Sequence, residues 1–418
     1  MGISDIFREG RSHWPGGLSN EQYSVLNLIA HCRTGVLGHL RKRCDRCGRT
    51  GTVPQSCGNR HCPTCLGPRQ AQWSQRICAR LPPGGHFHVV FTLPAELRGL
   101  CRANRRLLLG LLFAAASGTL KTFMRNNWKA EGGFLAVLHT WGQTLNWHPH
   151  LHVLVSAGGV GLATGAWKAR RDTYLFPVVN LGKVFRAVFL RLLGELERSG
   201  SLDWPADLPA GPRREAWRRG LATRAWCVHS KPTLKATRAA VRYLARYTSR
   251  SAIADRRILA ADPAEGTIRF SYLDNRDAKR RKEMDMPLAK FIRRFAGHIL
   301  PKGFQRIRYY GFLNPASAAS GQVPAPRAPA AAESAPLSQP CPHCGSFRLS
   351  YARAGGSIPT DADAPHKPIR LPTRSRPGTW SVSLLTTRAP PTTVQQAVGA
   401  TPKISNPDFG TASGVAQL

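Results

Sequence analysis

Two Cys-x-x-Cys pairs, Cys44-Asp-Arg-Cys47 and Cys62-Pro-Thr-Cys65, constrain this chain more than any other feature. Each two-residue gap aims two thiolates at one ion, and Gly48 suits the tight turn of a zinc knuckle. Six of the 11 cysteines fall between positions 44 and 78. The first residues, Met1 to Ile6, have neither the basic start nor the apolar run of a signal peptide. A reducing, cytosolic compartment is therefore expected, where clustered cysteines hold metal rather than form disulfides. The expected zinc ligands are Cys44, Cys47, Cys62 and Cys65, with Cys57 and His61 as alternates for one member of the second pair. Cys32, Cys78, Cys101 and Cys227 are isolated and read as core residues. Cys341-Pro-His-Cys344-Gly is half of a zinc ribbon with no second pair after it. It is either a remnant or a site completed by a partner or by histidines.

Charge narrows the class of partner. Sixty Lys and Arg against 23 Asp and Glu leave +37. A compact protein carrying that excess repels itself unless a polyanion neutralises it, which points to nucleic acid. The longest apolar stretch, 107–116, is too short to span a bilayer, so no membrane partner is expected. Periodicity predicts a helix from about 21 to 30 capped by Ser19, strands at 86–93, 134–140, 150–156 and 225–229, and helices at 98–127, 181–198 and 234–248. Strands at 256–260 and 267–273 and a helix at 287–298 follow, with a Pro/Arg-rich loop over 203–219. Strands do not alternate regularly with helices, which favours an α+β fold with an antiparallel sheet. Residues 316–340 read as an Ala/Pro/Ser-rich linker, and 341–418 as the Cys-x-x-Cys remnant and a disordered tail.

Two further motifs carry chemistry. His148-Pro-His150-Leu-His152 sits on a predicted strand, where alternate residues share a face. Two such imidazoles hold a divalent ion while leaving coordination sites open, as a nuclease needs to polarise a scissile phosphate. His86-Phe87-His88 has the same form, and spacing alone does not separate the two. Tyr243 and Tyr247 lie four apart on a predicted helix and share a face. A tyrosinate attacks a phosphodiester directly, with nearby Arg242, Arg246 and Arg250 to stabilise the developing charge. Arg306 and Arg308, late in the core, are candidates for gripping DNA. Paired tyrosines alone more often pack than react; the metal strand and the basic charge give them meaning.

These motifs resemble those of the HUH-type, two-tyrosine rolling-circle insertion-sequence transposases. The resemblance is carried by SCGNRHCPTC (56–65), HFHVVFTLP (86–94), LHTWGQTLNWHPHLHVLV (138–155), YLARYTSRSAI (243–253) and FIRRFAGHILPKGFQRIRYYG (291–311), and covers about residues 20–315. It implies an N-terminal zinc-binding domain (1–82) and an HUH nuclease domain on an antiparallel sheet (83–315). It implies that His150 and His152 carry the metal motif, that 86–88 is the first core strand, and that Tyr243 and Tyr247 are the nucleophiles. The third ligand stays open among His148, Gln143 and His88, and the catalytic ion is expected to be Mg2+ or Mn2+. The implied activity is nicking and rejoining of single DNA strands at transposon ends and target sites, in a bacterial cytoplasm at the nucleoid. A rolling-circle replication initiator and a non-catalytic zinc DNA-binding protein are the competing readings.

Overall fold

The computed structural model describes residues 1–171, 174–234, 240–241, 251–275, 277–324, 341–346 and 349–353. At its centre is an antiparallel sheet built on a long hairpin, β4 (Ala130–Trp141) and β5 (Trp147–Gly161). β3 (His86–Thr92) pairs with β5, and β7 (Val228–Leu234) closes that edge. β11 (Ile307–Tyr310) pairs with the other side of β4, and short β6 (Trp167–Ala169) extends β5. The order is β11-β4-β5-β3-β7.

Alternation along these strands sorts the side chains. Phe87, Val89 and Phe91 of β3 and Leu151, Val153 and Val155 of β5 are buried together on one face. Against them pack helices α5 (Arg105–Phe123) and α6 (Val178–Arg198), where Phe185 meets Phe91 and Trp226 edge to face at 5.0 and 5.3 Å. Each such buried aromatic contributes on the order of 2 kcal/mol. The helical stretch Arg105–Trp128 is long and apolar enough to cross a membrane, yet it supplies much of this core. The opposite face carries the histidines, with Leu135, Val137 and Leu154 beside them. Gly311 is required where β11 ends: at φ +58°, a Cβ there would lie 1.7 Å from the Gly132 carbonyl oxygen.

A second core joins segments far apart in sequence. Helices α1 (Ile3–Glu9) and α2 (Asn20–Ala30) pack on the sheet β8–β9–β10 (Ile258–Asp262, Thr267–Asp274, Arg280–Pro287) and on α8 (Leu288–Gly297). Ser19 caps α2 in a reciprocal box with Gln22, as its sequence suggests. Leu145, at the tip of the β4–β5 hairpin, is buried in this second core and couples it to the central sheet.

Two expectations change. Within the anticipated loop 203–219, Pro212–Thr223 forms helix α7. Pro212 at its first position starts it, and burial of Leu221 holds what its Arg-rich sequence would leave unsupported. Residues Leu349–Arg353, expected in a remnant and tail, form strand β12, paired with β1 (His39–Cys44), which in turn pairs with β2 (Thr50–Pro54). Backbone hydrogen bonds to a distant strand are invisible to local periodicity. The tail expected over 354–418, and most of the helix expected at 234–248, lie outside the described residues.

Candidate metal centres and active site

The β4–β5 register sets His139 opposite His150 and Val137 opposite His152. His139, His150 and His152 thereby bring one ligand nitrogen each to within 4.8 Å of one another. The ring of His139 lies 4.7 Å from that of His152 and 5.4 Å from that of His150. His139 and His152 are buried, and His150 is largely buried beside them. The Nδ1–H of His150 donates to the His148 carbonyl at 2.7 Å, which fixes the tautomer and leaves the Nε2 lone pair for a metal. Burial pushes His150 down to about 4, so the ring is neutral at physiological pH, as a ligand must be.

The third member is thus His139 rather than His148. His148 shares the strand face, but its Nδ1 accepts from the Arg98 guanidinium at 2.7 Å. Burial first, then the neighbouring His150 and Arg98, pushes His148 down to about 3. Gln143 belongs to the hairpin turn, where its carbonyl accepts from Arg257. His88, from β3, stands behind the site: its Nε2 is 3.0 Å from His152 Nδ1 and the two rings stack. Burial, with Lys231 adding to it, holds His88 at about 3. A sequence signal for His139 did exist. A hairpin centred on the Gly142–Asn146 turn pairs position 139 with the His150 region.

Behind His139, Trp141 stacks on its ring at 4.6 Å, and the Arg306 guanidinium lies 5.2 Å from Trp141. Arg306 is buried and donates to the Leu138 carbonyl. Arg308 lies 4.2 Å over the Phe113 ring. Both side chains, anticipated at a DNA surface, point into the fold instead; a basic residue on a strand reads alike in either setting. Tyr243, Tyr247, Arg242, Arg246 and Arg250 lie outside the described residues. The helical residues Ala240 and Val241, just before them in sequence, are buried with Leu135, Val137 and Leu154 on the histidine-bearing face.

The cysteines divide differently from their spacing. Cys32, Cys57, Cys62 and Cys65 form one group within 4.8 Å, with Sγ–Sγ separations of 3.6 Å (Cys32–Cys65 and Cys57–Cys65) and 3.8 Å (Cys32–Cys62). A tetrahedral zinc with Zn–S of about 2.3 Å places its sulfurs roughly 3.8 Å apart, so the four thiols fit that ion. Cys44 and Cys47 are not in it. They lie at the β1–β2 turn, in a second group with Cys341 and Cys344. The expected set of Cys44, Cys47, Cys62 and Cys65 is therefore two half-sites, parted by the β1–β2 ribbon. Cys32, which follows α2, is a ligand candidate and not a mere core residue; its signal was the missing fourth thiol beside Cys57. His61 is no alternate: its Nε2 accepts from the Leu300 amide at 3.3 Å, and burial holds it well below its ordinary value. Next to it, Arg60 donates to the carbonyls of Leu300, Pro301 and Phe304.

Known proteins match on both sides of this arrangement. Residues 3–93 match the family described as "Transposase zinc-binding domain", and residues 133–320 the family described as "Putative transposase". The "Transposase for insertion sequence element IS801" of Pseudomonas savastanoi pv. phaseolicola is 32% identical over 310 residues, 71% of this chain and 72% of that protein. The "Putative transposase y4qJ" of Sinorhizobium fredii is 41% identical over 319 residues, 74% and 80% respectively. The chain belongs to this family of insertion-sequence transposases. No solved structure matches it. In this transposase the first cysteine group falls wholly inside the zinc-binding match, and His139, His150 and His152 fall inside the other. Cys341 and Cys344 lie beyond both.

Proposed function

We propose that this transposase nicks and rejoins single DNA strands at transposon ends through a 5′-phosphotyrosine intermediate, as an HUH nuclease with residues 83–315 as its catalytic domain. The observation that supports it most is the set of three imidazoles on one sheet face, with Ala240 and Val241, three and two residues ahead of Tyr243, buried on that face. His139, His150 and His152 would hold Mg2+ or Mn2+, which supplies charge stabilisation at the scissile phosphate. His88 orients His152 from behind, and the Arg98 cation sits beside His148 at the rim. The hydroxyl oxygen of Tyr243 or Tyr247 forms a bond to phosphorus as the phosphorus–O3′ bond breaks. The 3′ oxygen leaves as a hydroxyl, taking a proton in place of the one the tyrosine loses. The phosphodiester energy is kept in the tyrosyl linkage, so a later 3′-hydroxyl reseals the strand without ATP. Two tyrosines allow one to hold a DNA end while the other attacks. The charge of +37 suits a polyanionic substrate, in the cytoplasm at the nucleoid.

The test uses the full chain, labelled single-stranded end DNA, and Mg2+ or Mn2+. Wild type forms a covalent protein–DNA adduct; Tyr243→Phe with Tyr247→Phe abolishes it, and so does His139→Ala. Absence of an adduct in wild type with both metals defeats the nuclease reading. An adduct that survives in the double variant defeats the tyrosine assignment.

A further inference from the structure

Cys341 and Cys344 stand about three hundred positions after Cys44 and Cys47, yet all four thiols meet within 4.8 Å. Cys44 Sγ is 3.5 Å from Cys344 Sγ, and Cys47 Sγ is 3.8 Å from Cys341 Sγ. These separations are far above the 2.05 Å or so of a disulfide. They match the edges, roughly 3.8 Å, of a zinc–thiolate tetrahedron.

The two half-sites have the same backbone. After Cys44-x-x-Cys47, the Gly48 amide donates to the Cys44 carbonyl at 2.8 Å, and Gly48 has φ +70°. After Cys341-x-x-Cys344, the Gly345 amide donates to the Cys341 carbonyl at 2.8 Å, and Gly345 has φ +69°. Each turn closes with an amide-to-carbonyl bond of 2.8 Å: Cys44 to Arg49, and Cys341 to Ser346. The amides of Arg46 and Cys47 point at the Cys44 sulfur, and those of His343 and Cys344 at the Cys341 sulfur. Such N–H donors stabilise thiolates, and a tight turn that aims them is the shape of a zinc knuckle. Facing knuckles are joined by strand pairing, β12 on β1 from Leu40 opposite Arg353 to Cys44 opposite Leu349. The Ser350 hydroxyl donates to Asp45 across the junction at 2.6 Å.

We infer that Cys44, Cys47, Cys341 and Cys344 bind a second zinc ion, which clamps residues 341–346 and strand β12 onto the N-terminal zinc-binding region. The half-ribbon at 341–344 is thus neither a remnant nor in want of a partner protein. It completes the site that Cys44 and Cys47 leave half-built. A chain truncated after 340 would expose two thiols of an unfinished site beside the basic strand residues Arg41, Lys42 and Arg43.

Cobalt substitution in the full chain tests this, because thiolate-to-cobalt charge transfer counts sulfur bonds and ignores the histidine site. Wild type shows two tetrathiolate sites. Cys341→Ser with Cys344→Ser halves the absorbance, and Cys44→Ser with Cys47→Ser halves it equally. Full absorbance in the first double variant, or wild-type absorbance fitting a single site, overturns the proposal. A protease site inserted between 325 and 340 gives a second readout that needs no cysteine substitution. After cleavage the C-terminal fragment stays with the rest on size exclusion and leaves when a chelator removes the metal. Release with metal still bound, or retention after its removal, overturns the clamp.

Discussion

The two cysteine groups use the same ligand chemistry in opposite structural settings. Cys32, Cys57, Cys62 and Cys65 come from one short segment and adjoin the second core, among Leu26, Ile29 and Phe295. Cys44, Cys47, Cys341 and Cys344 come from the two ends of the described chain and sit on a three-stranded ribbon, with Cys47 and Cys344 only half-buried. The first group can organise as soon as its segment is made. The second must wait until the chain between its halves has closed, and loop closure over that length costs entropy that only metal and strand pairing offset. A Cys-x-x-Cys thus announces half a site and says nothing about where the other half lies.

The largest effect expected from this contrast is on stability. Cys62→Ser removes a buried ligand of the first group and should cost at least about 3 kcal/mol, since structural zinc contributes folding energy outright. Cys344→Ser should cost clearly less, because its ribbon is peripheral to both cores. Thermal unfolding of the full chain, followed by circular dichroism, compares them. Equal losses would erase the distinction between a core-building and a clamping metal.

An intermediate effect sharpens the comparison with the histidine site. His88→Ala removes the group that holds His152 Nδ1 at 3.0 Å. Loss of such an orienting partner should weaken Mn2+ binding by roughly 10–100-fold. Thiolate–cobalt absorbance should not change. Titration calorimetry with Mn2+ reads the first quantity; unchanged affinity would mean that His88 merely packs.

The smallest effect concerns the two knuckles. No atom crowds a Cβ at Gly48 or Gly345, so alanine there meets only the cost of positive φ, about 1–2 kcal/mol. Gly48→Ala and Gly345→Ala should each speed chelator extraction of the ribbon metal by a similar factor, on the order of tenfold. A loss confined to one of them would show that the halves are not equivalent.

Much of the fold was legible locally. Strand β3, helices α5, α6 and α8 and the cap at Ser19 follow from apolar periodicity and turn chemistry, because their stabilising contacts repeat along one face. What local pattern missed had a common cause. Helix α7 is held by Leu221 and the core it reaches, β12 by a strand three hundred positions away, and Arg306 by burial behind Trp141. Arg306 and Arg308 looked like DNA contacts because sequence records their charge and not which way they face.

The sequence by itself determined the chemical vocabulary of this transposase: thiols in knuckle pairs, imidazoles on alternate strand positions, two tyrosines four positions apart, and a large positive charge. Side-chain type and short spacing fix those properties, since they depend on backbone geometry over a few residues. The tertiary structure alone decided the grouping. Hairpin register put His139, and not His148, with His150 and His152. Chain return put Cys341 and Cys344 with Cys44 and Cys47, and so left Cys32 to complete the other site. Coordination is a condition on distances in space, and residues remote in sequence meet it only once the strands that carry them have paired.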